Sequence, residues 1–293
     1  MIHLVHNMGG CGGTLLSRCL GVLPGVNLLS EINPASVKLF PQFDPLYQDR
    51  NWLRLLHASD LDRFAAMDLG QTECFRELIR VFHERAVAAG GHLVLRDYNF
   101  VDFVGVPYTS HPSRRLTIYS ALPSHIPVRA VAFVRHPADQ WSSLCKHQHV
   151  RTVLKPAWFS EAYAAFLREV EPMPRFRYED FVERPAESLR TMCNELALPF
   201  DPAFSERFQQ FASVTGDFTR QDDPSISLPP PKTFPPEILE EFRSSAAYVR
   251  VCRDAGYRLD VGRLFANSAQ DSVPCGHEIA KGPLIGIVGN LTA

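Results

Sequence analysis

Four glycines in five residues, Gly9-Gly10-Cys11-Gly12-Gly13, separate a short apolar run, Ile2 to His6 (IHLVH), from an apolar-periodic helix opened by Thr14 (TLLSRCLGVL). Strand, glycine loop and helix start make a geometry for anions. Glycines let successive N–H groups converge on one concavity, and the helix dipole adds partial positive charge there. The ligand class is therefore a phosphoryl or sulfuryl group. Three other loop chemistries fail on spacing. A Walker A loop needs lysine before Thr14, where Gly13 stands. The dinucleotide fingerprint begins well at Gly10-Cys11-Gly12 but its last glycine position falls on Leu15. A phosphatase-like cysteine needs arginine six residues on, and Ser17 occupies that place after Cys11. (Cys74 and Arg80 have the spacing, but CFRELIR reads as ordinary helix without glycines.) A second constellation is Arg135 with Ser143 in RHPADQWSS. An arginine at a strand end and a serine two turns into the next helix can grip one phosphate, the guanidinium forking onto two oxygens and the hydroxyl donating to the third.

These residues need a scaffold that gathers them. Val128 to Val134 (VRAVAFV) reads as a parallel-sheet strand with Arg135 at its carboxyl end, and Pro137 suits the first turn of the next helix. Val26 to Leu29 reads as a strand ending at Ser30-Glu31, and His92 to Leu95 as one ending at Arg96-Asp97. Leu116 to Ala121 and Phe176 to Tyr178 are further strand candidates. Asn51 to Ala89 is expected to be mostly helical, stopped at Gly90-Gly91. Trp158 to Val170 and Pro185 to Leu196 read as helices, Gly216 to Pro236 as a long ordered loop or flap. Pro235-Pro236 then opens one helix, EILEEFRSSAAYVRVCRDA, closed by Gly256. Strands alternating with helices imply an α/β fold, a doubly wound parallel sheet flanked by helices. Ligands of such sheets sit beyond the carboxyl ends of the strands, where the glycine loop, Glu31, Arg96 and Arg135 all fall.

The 293 residues are 45% hydrophobic with a formal net charge of -2. One large α/β domain, residues 1–262, is expected, with a C-terminal extension, 263–293, carrying an unpartnered apolar run, PLIGIVG. Near-neutral charge counts against nucleic-acid binding. Seven scattered cysteines without C-x-x-C suggest neither a zinc site nor a disulfide framework. No apolar stretch approaches the roughly 20 residues of a membrane span, and the strand at residue 2 leaves no room for a signal peptide, so a cytoplasmic setting is expected. His147 and His149 in KHQHV have the spacing of a metal pair on a strand but read as exposed helix-end residues.

Downstream, FRYEDF places Tyr178 just after a short strand. Together these segments resemble the sulfotransferases that use 3′-phosphoadenosine-5′-phosphosulfate (PAPS), nearest to the bacterial, carbohydrate and tyrosylprotein types. The segments carrying the likeness are GGCGGTLL (Gly9 to Leu16), LLSEINP with Glu31, RHPADQWSS (Arg135 to Ser143) and RYEDF (Arg177 to Phe181). The resemblance covers about residues 2 to 260. It implies a P-loop-like three-layer sandwich, PAPS as co-substrate, the 3′,5′-bisphosphate PAP as product, no metal, and a small-molecule, glycan or peptide acceptor presenting a hydroxyl or amine. By the resemblance, Gly10, Cys11, Gly12, Gly13 and Thr14 hold the 5′ end, Arg135 and Ser143 the 3′-phosphate, and Tyr178 lies near adenine. Arg220 and Lys232 in the long loop would close over the 3′-phosphate, with Ser225 and Ser227 as lesser candidates. Glu31 would be the general base. The chain departs from the family at Gly10, where relatives carry a basic residue, and at Cys11, where they carry serine. Arg96, or less favourably His6, is the candidate for the missing cation. Two rival readings are a non-catalytic nucleotide-binding protein of the same fold, for which Gly10 speaks, and a kinase-like phosphotransferase, against which the missing Walker lysine counts.

Overall fold

All six residues of β1 (Ile2–Asn7) are buried, so this strand must lie between two layers. The structure, a computed structural model, describes residues 1–211, 214–216, 225–228 and 233–259. β1 is the middle of a five-stranded sheet with β2 (Val26–Ile32), β3 (His92–Tyr98), β4 (Val128–Val134) and β5 (Arg175–Arg177), in the order β2-β3-β1-β4-β5. Every pairing is parallel. The chain winds from β1 toward one edge and then returns to add β4 on the other side. The direction of winding thus reverses at β1, and the carboxyl ends there flank the crevice where such sheets bind ligands.

The period-2 rule assigns the two faces. Val5, Val94, Val131 and Phe133 point to one side, against Leu16, Cys19 and Leu20 of α1 (Gly13–Gly21) and Leu189 and Met192 of the helix Pro185–Leu196. Leu4, Leu93 and Leu95 point to the other, against Phe75, Leu78, Ile79 and Phe82 of the helix Thr72–Ala88. Those four recur at helical spacing, and each fully buried side chain contributes about 1.5–3 kcal/mol. Ala132 and Val134 meet Phe159, Ala162 and Phe166 of the helix Pro156–Glu169. The expected doubly wound, three-layer architecture is what forms.

Several local expectations are corrected. Leu116 to Ala121 is not a strand. Thr117–Ala121 is a 3-10 turn, because Thr117 spends both its N–H and its hydroxyl on the Asp102 carboxylate at 3.1 and 2.8 Å. Tyr178 does not end β5 but opens the helix Tyr178–Glu183. The helix expected after Pro236 is two helices, Pro236–Ser244 and Ala246–Ala255, because the Ser245 hydroxyl accepts from the Tyr248 N–H at 3.2 Å and caps the second. Asn51 to Ala89 is likewise divided: Ala58–Ala65 and Thr72–Ala88 are separate helices with Gly70 between them. Among the described residues no helix is long and apolar enough to cross a membrane. The C-terminal extension, 263–293, lies outside the described residues.

Candidate active site

α1 begins as the sequence expects, but its cap is glycine. Gly12 at the N-cap has φ 94° and offers no side chain to the first-turn N–H groups. Gly10 has φ 79°. Both lie in the left-handed region, where a side chain is strained. Space is closed to one as well. A Cβ at Gly12 would run into the Tyr178 ring, and one at Gly10 would sit 2.8 Å from the Gln140 carbonyl oxygen. Gly13 is backed by Arg96, whose Nη1 would be 2.6 Å from a Cβ there. The loop is therefore a backbone cradle that only glycines fit.

A cavity of about 430 Å³ opens over this cradle. Gly10, Gly12, Gly13, Thr14, Glu31, Arg96, Arg135, Ser143 and Tyr178 all line it. With Cys11, these are ten of the residues that the sequence singles out, and of the ten Cys11 alone does not line the cavity. Its thiol is buried in the core, where desolvation pushes it up to about 11 and keeps it neutral. Arg220 and Lys232 lie outside the described residues. Ser225 lines the cavity, whereas Ser227 makes its contact with the Ser225 hydroxyl at 2.9 Å. His6 is no part of it. Its ring is buried between the Asp97 carboxylate and the Tyr119 hydroxyl, each at 3.1 Å. His147 and His149 are exposed with ring centroids 5.8 Å apart, and among the described residues no cluster of three metal-ligating side chains occurs.

Arg135 stands at the carboxyl end of β4 and is held on three sides. Its N–H donates to the Tyr163 hydroxyl and its carbonyl accepts from the same group at 2.7 Å. Its Nη1 donates to the Gly10 carbonyl at 3.2 Å, and its guanidinium lies over the Tyr178 ring, 4.6 Å from the centroid. Ser143 stands beside Gly10, their Cβ positions 3.4 Å apart were Gly10 to have one. The arginine–serine pair read from spacing thus flanks the loop.

Glu31 occupies a bulge. The register of β2 against β3 shifts between Ser30 and Ile32, and Glu31 takes φ 55°, costly for a side chain of this kind by about 1–3 kcal/mol. The bulge turns the carboxylate toward the cavity. Its Oε1 accepts from Arg96 Nη1 at 3.1 Å, in a pair whose side chains are 10% and 2% exposed. Arg96 Nη2 donates to the Ser30 hydroxyl at 2.7 Å and to the Thr215 carbonyl at 3.0 Å. Arg96 is set within β3 rather than at a free strand end, and both of its Nη atoms are engaged. On the Glu31 side, five aromatic rings close a circuit. Phe40 meets Phe43, Phe43 meets Tyr98 at 4.5 Å, Tyr98 meets Phe100, Phe100 meets Tyr108, and Tyr108 returns to Phe40. All five line the cavity. Burial, then the Glu31 charge, raises the Tyr98 phenol well above its ordinary value, so it stays neutral.

Sequence reasoning missed Arg18, Asn7, Thr215 and the aromatic circuit. Arg18 had a signal, since it follows Thr14 by four on the same helix. Thr215 had none, because a loop far along the chain delivers it.

No family model and no curated protein matches the sequence. Solved structures do match by shape. The sulfotransferase domain of the Synechococcus PCC 7002 olefin synthase superposes with TM-score 0.56 at 16% identity, covering 88% of this chain and 95% of that one. The sulfotransferase domain from the curacin biosynthetic pathway gives TM-score 0.50 at 14% identity, covering 88% and 98%. The chain has the sulfotransferase-like fold.

Proposed function

We propose that this protein is a PAPS-dependent sulfotransferase acting on a small, apolar hydroxyl-bearing acceptor. The observation that carries the reading is that an oxyanion cradle and a strained carboxylate face the same cavity, with Arg135 and Ser143 beside the cradle. The donor nucleotide, when bound, supplies the transferred sulfuryl group. The residues fit its anionic ends: no side chain caps the first turn of α1, and Gly10 and Gly12 have no room for one, so the backbone there is left to an anion. The loop N–H groups and Thr14 hold the 5′ end, Arg135 and Ser143 the 3′-phosphate, and Tyr178 stacks near the base. Arg96 fixes Glu31 through Oε1, and Oε2 accepts the acceptor's proton. Arg96 lies against Gly13 and so also offsets charge on the sulfuryl oxygens. In-line transfer needs little covalent work from the protein, so positioning and charge dominate. The aromatic circuit beside Glu31 favours an apolar ring over a glycan, which needs convergent polar groups.

The test is PAP release from PAPS with phenols, apolar alcohols, sugars and tyrosyl peptides, alongside thermal shifts with PAP and with ATP plus magnesium. Phenols or apolar alcohols are expected to turn over, and Glu31→Gln to lower kcat by about 10²- to 10⁴-fold. Full turnover in Glu31→Gln removes the base role, and a response to ATP alone overturns the reading. The second reading, a non-catalytic nucleotide-binding protein, is favoured by one observation, the absence of a cation at Gly10. PAP binding without sulfate transfer to any acceptor selects it.

A further inference from the structure

Three arginines, Arg18, Arg96 and Arg135, line the cavity. Two are engaged: Arg96 pairs with Glu31, and Arg135 donates to Gly10 and stacks on Tyr178. Arg18 differs. All three are buried with Nε unpartnered, but Arg18, 6% exposed, is the one of them that forms no hydrogen bond or ion pair with any described residue. Burying a guanidinium without a counter-charge is unfavourable. Packing does not require it, because Leu16, Cys19 and Leu20 already anchor α1 to the core. Arg18 follows Thr14 by one turn on the same face, and long helical side chains run back toward the helix N-terminus. That direction leads to the glycine loop, whose backbone suits an oxyanion. The loop itself has no room for a cation at Gly10.

We propose that Arg18 is a binding residue for the oxyanion held at the start of α1, a phosphate or sulfate ester, and supplies the charge that Gly10 does not. Naming the ester as part of a nucleotide rests on the function proposed above; the oxyanion chemistry does not. Among the described residues the buried Arg18 charge has no counter-charge, and the ligand would neutralise it.

The test measures the affinity of wild type, R18Q and R18K for PAP and for pyrophosphate by calorimetry, together with the Tm of each ligand-free protein. R18Q is expected to bind both probes about 10- to 100-fold more weakly, the effect of losing a hydrogen bond to a charged group. Its ligand-free Tm is expected to equal or exceed wild type, because the unpaired charge is gone, and R18K should recover part of the affinity. A merely structural arginine gives the opposite pattern. Unchanged affinity in R18Q, a lowered ligand-free Tm, or failure of R18Q to fold each overturns the proposal. If wild type binds pyrophosphate but not PAP, the nucleotide reading falls while Arg18 is judged on pyrophosphate; binding of neither overturns both.

Discussion

A basic residue cannot simply be written into the loop at Gly10. The backbone there has φ 79°, and a Cβ would press on the Gln140 carbonyl oxygen at 2.8 Å and on Leu144 at 3.1 Å. Gly10→Lys is therefore expected to lower stability by about 1–3 kcal/mol and to raise turnover not at all. Urea denaturation and PAP release check both halves, and a lysine variant as stable as wild type would show that the loop relaxes around it. Gly12→Ala should fare worse, because φ 94° is joined by direct collision with the Tyr178 ring. That ring carries Arg135, so PAP affinity should fall with stability. The residue that distinguishes this loop from its relatives is thus held by sterics, and charge must enter the site from elsewhere.

At the scale of elements, what was legible in the sequence is what backbone chemistry and period 2 dictate. The glycine loop, β1, β4 with Arg135 at its end, and Ser143 two turns on all depend on local pattern, and all came out together in space. Glu31 and Arg96 were visible as residues but not as a pair. Their meeting depends on a bulge in β2, which no local pattern announces. The break at Ser245 was hidden for a similar reason. EILEEFRSSAAYVRVCRDA has helical propensity throughout, and the side chain that caps the second helix also belongs to a run readable as continuous. Ser245→Ala is expected to cost about 1 kcal/mol, measured by chemical denaturation. The turn Thr117–Ala121 hangs on Asp102, whose carboxyl is pushed up to about 7 by burial and then by the like charge of Asp97. The sign follows from linkage. Folding favours the protonated acid, so its contribution is present below the unfolded value of 3.8 and is lost as pH rises through about 7. Asp102→Asn should accordingly gain Tm relative to wild type as pH rises from about 5 to about 8, the range over which Asp102 ionises in the folded protein. A difference that stays constant across that range would show that Asp102 does not titrate there.

The molecule as a whole is pinned at both ends of its sheet by buried neutral histidines. At the amino ends, His3 contacts the Leu196 carbonyl and fastens β1 to the close of the helix Pro185–Leu196. At the carboxyl ends, His136 follows Arg135, meets the Tyr248 and Tyr257 rings in edge-on contacts, and reaches the Arg258 carbonyl at 3.2 Å. Burial lowers each to about 4 from an ordinary 6.5; for His136 the Arg135 and Arg177 charges add to it, and the Arg258 carbonyl opposes it. The unfolded chain therefore takes up protons that the fold excludes. Stability from this source is complete above the unfolded value of 6.5 and is lost as pH falls from there through about 4. His136 sits next to Arg135, the proposed 3′-phosphate ligand, so its protonation should loosen the site before the whole sheet gives way. His136→Gln keeps a donor for the Arg258 carbonyl but has no proton to take up. Its Tm is expected to be lower than wild type at pH 7.5, where the ring packing is lost, and to fall less steeply toward pH 4.5. The ligand-free Tm of the two proteins across that range decides the matter. Parallel curves would mean that His136 is neutral on both sides of unfolding and that the acid limit of this fold lies with other groups. Converging curves would place that limit one residue from the arginine that the proposed function most depends on.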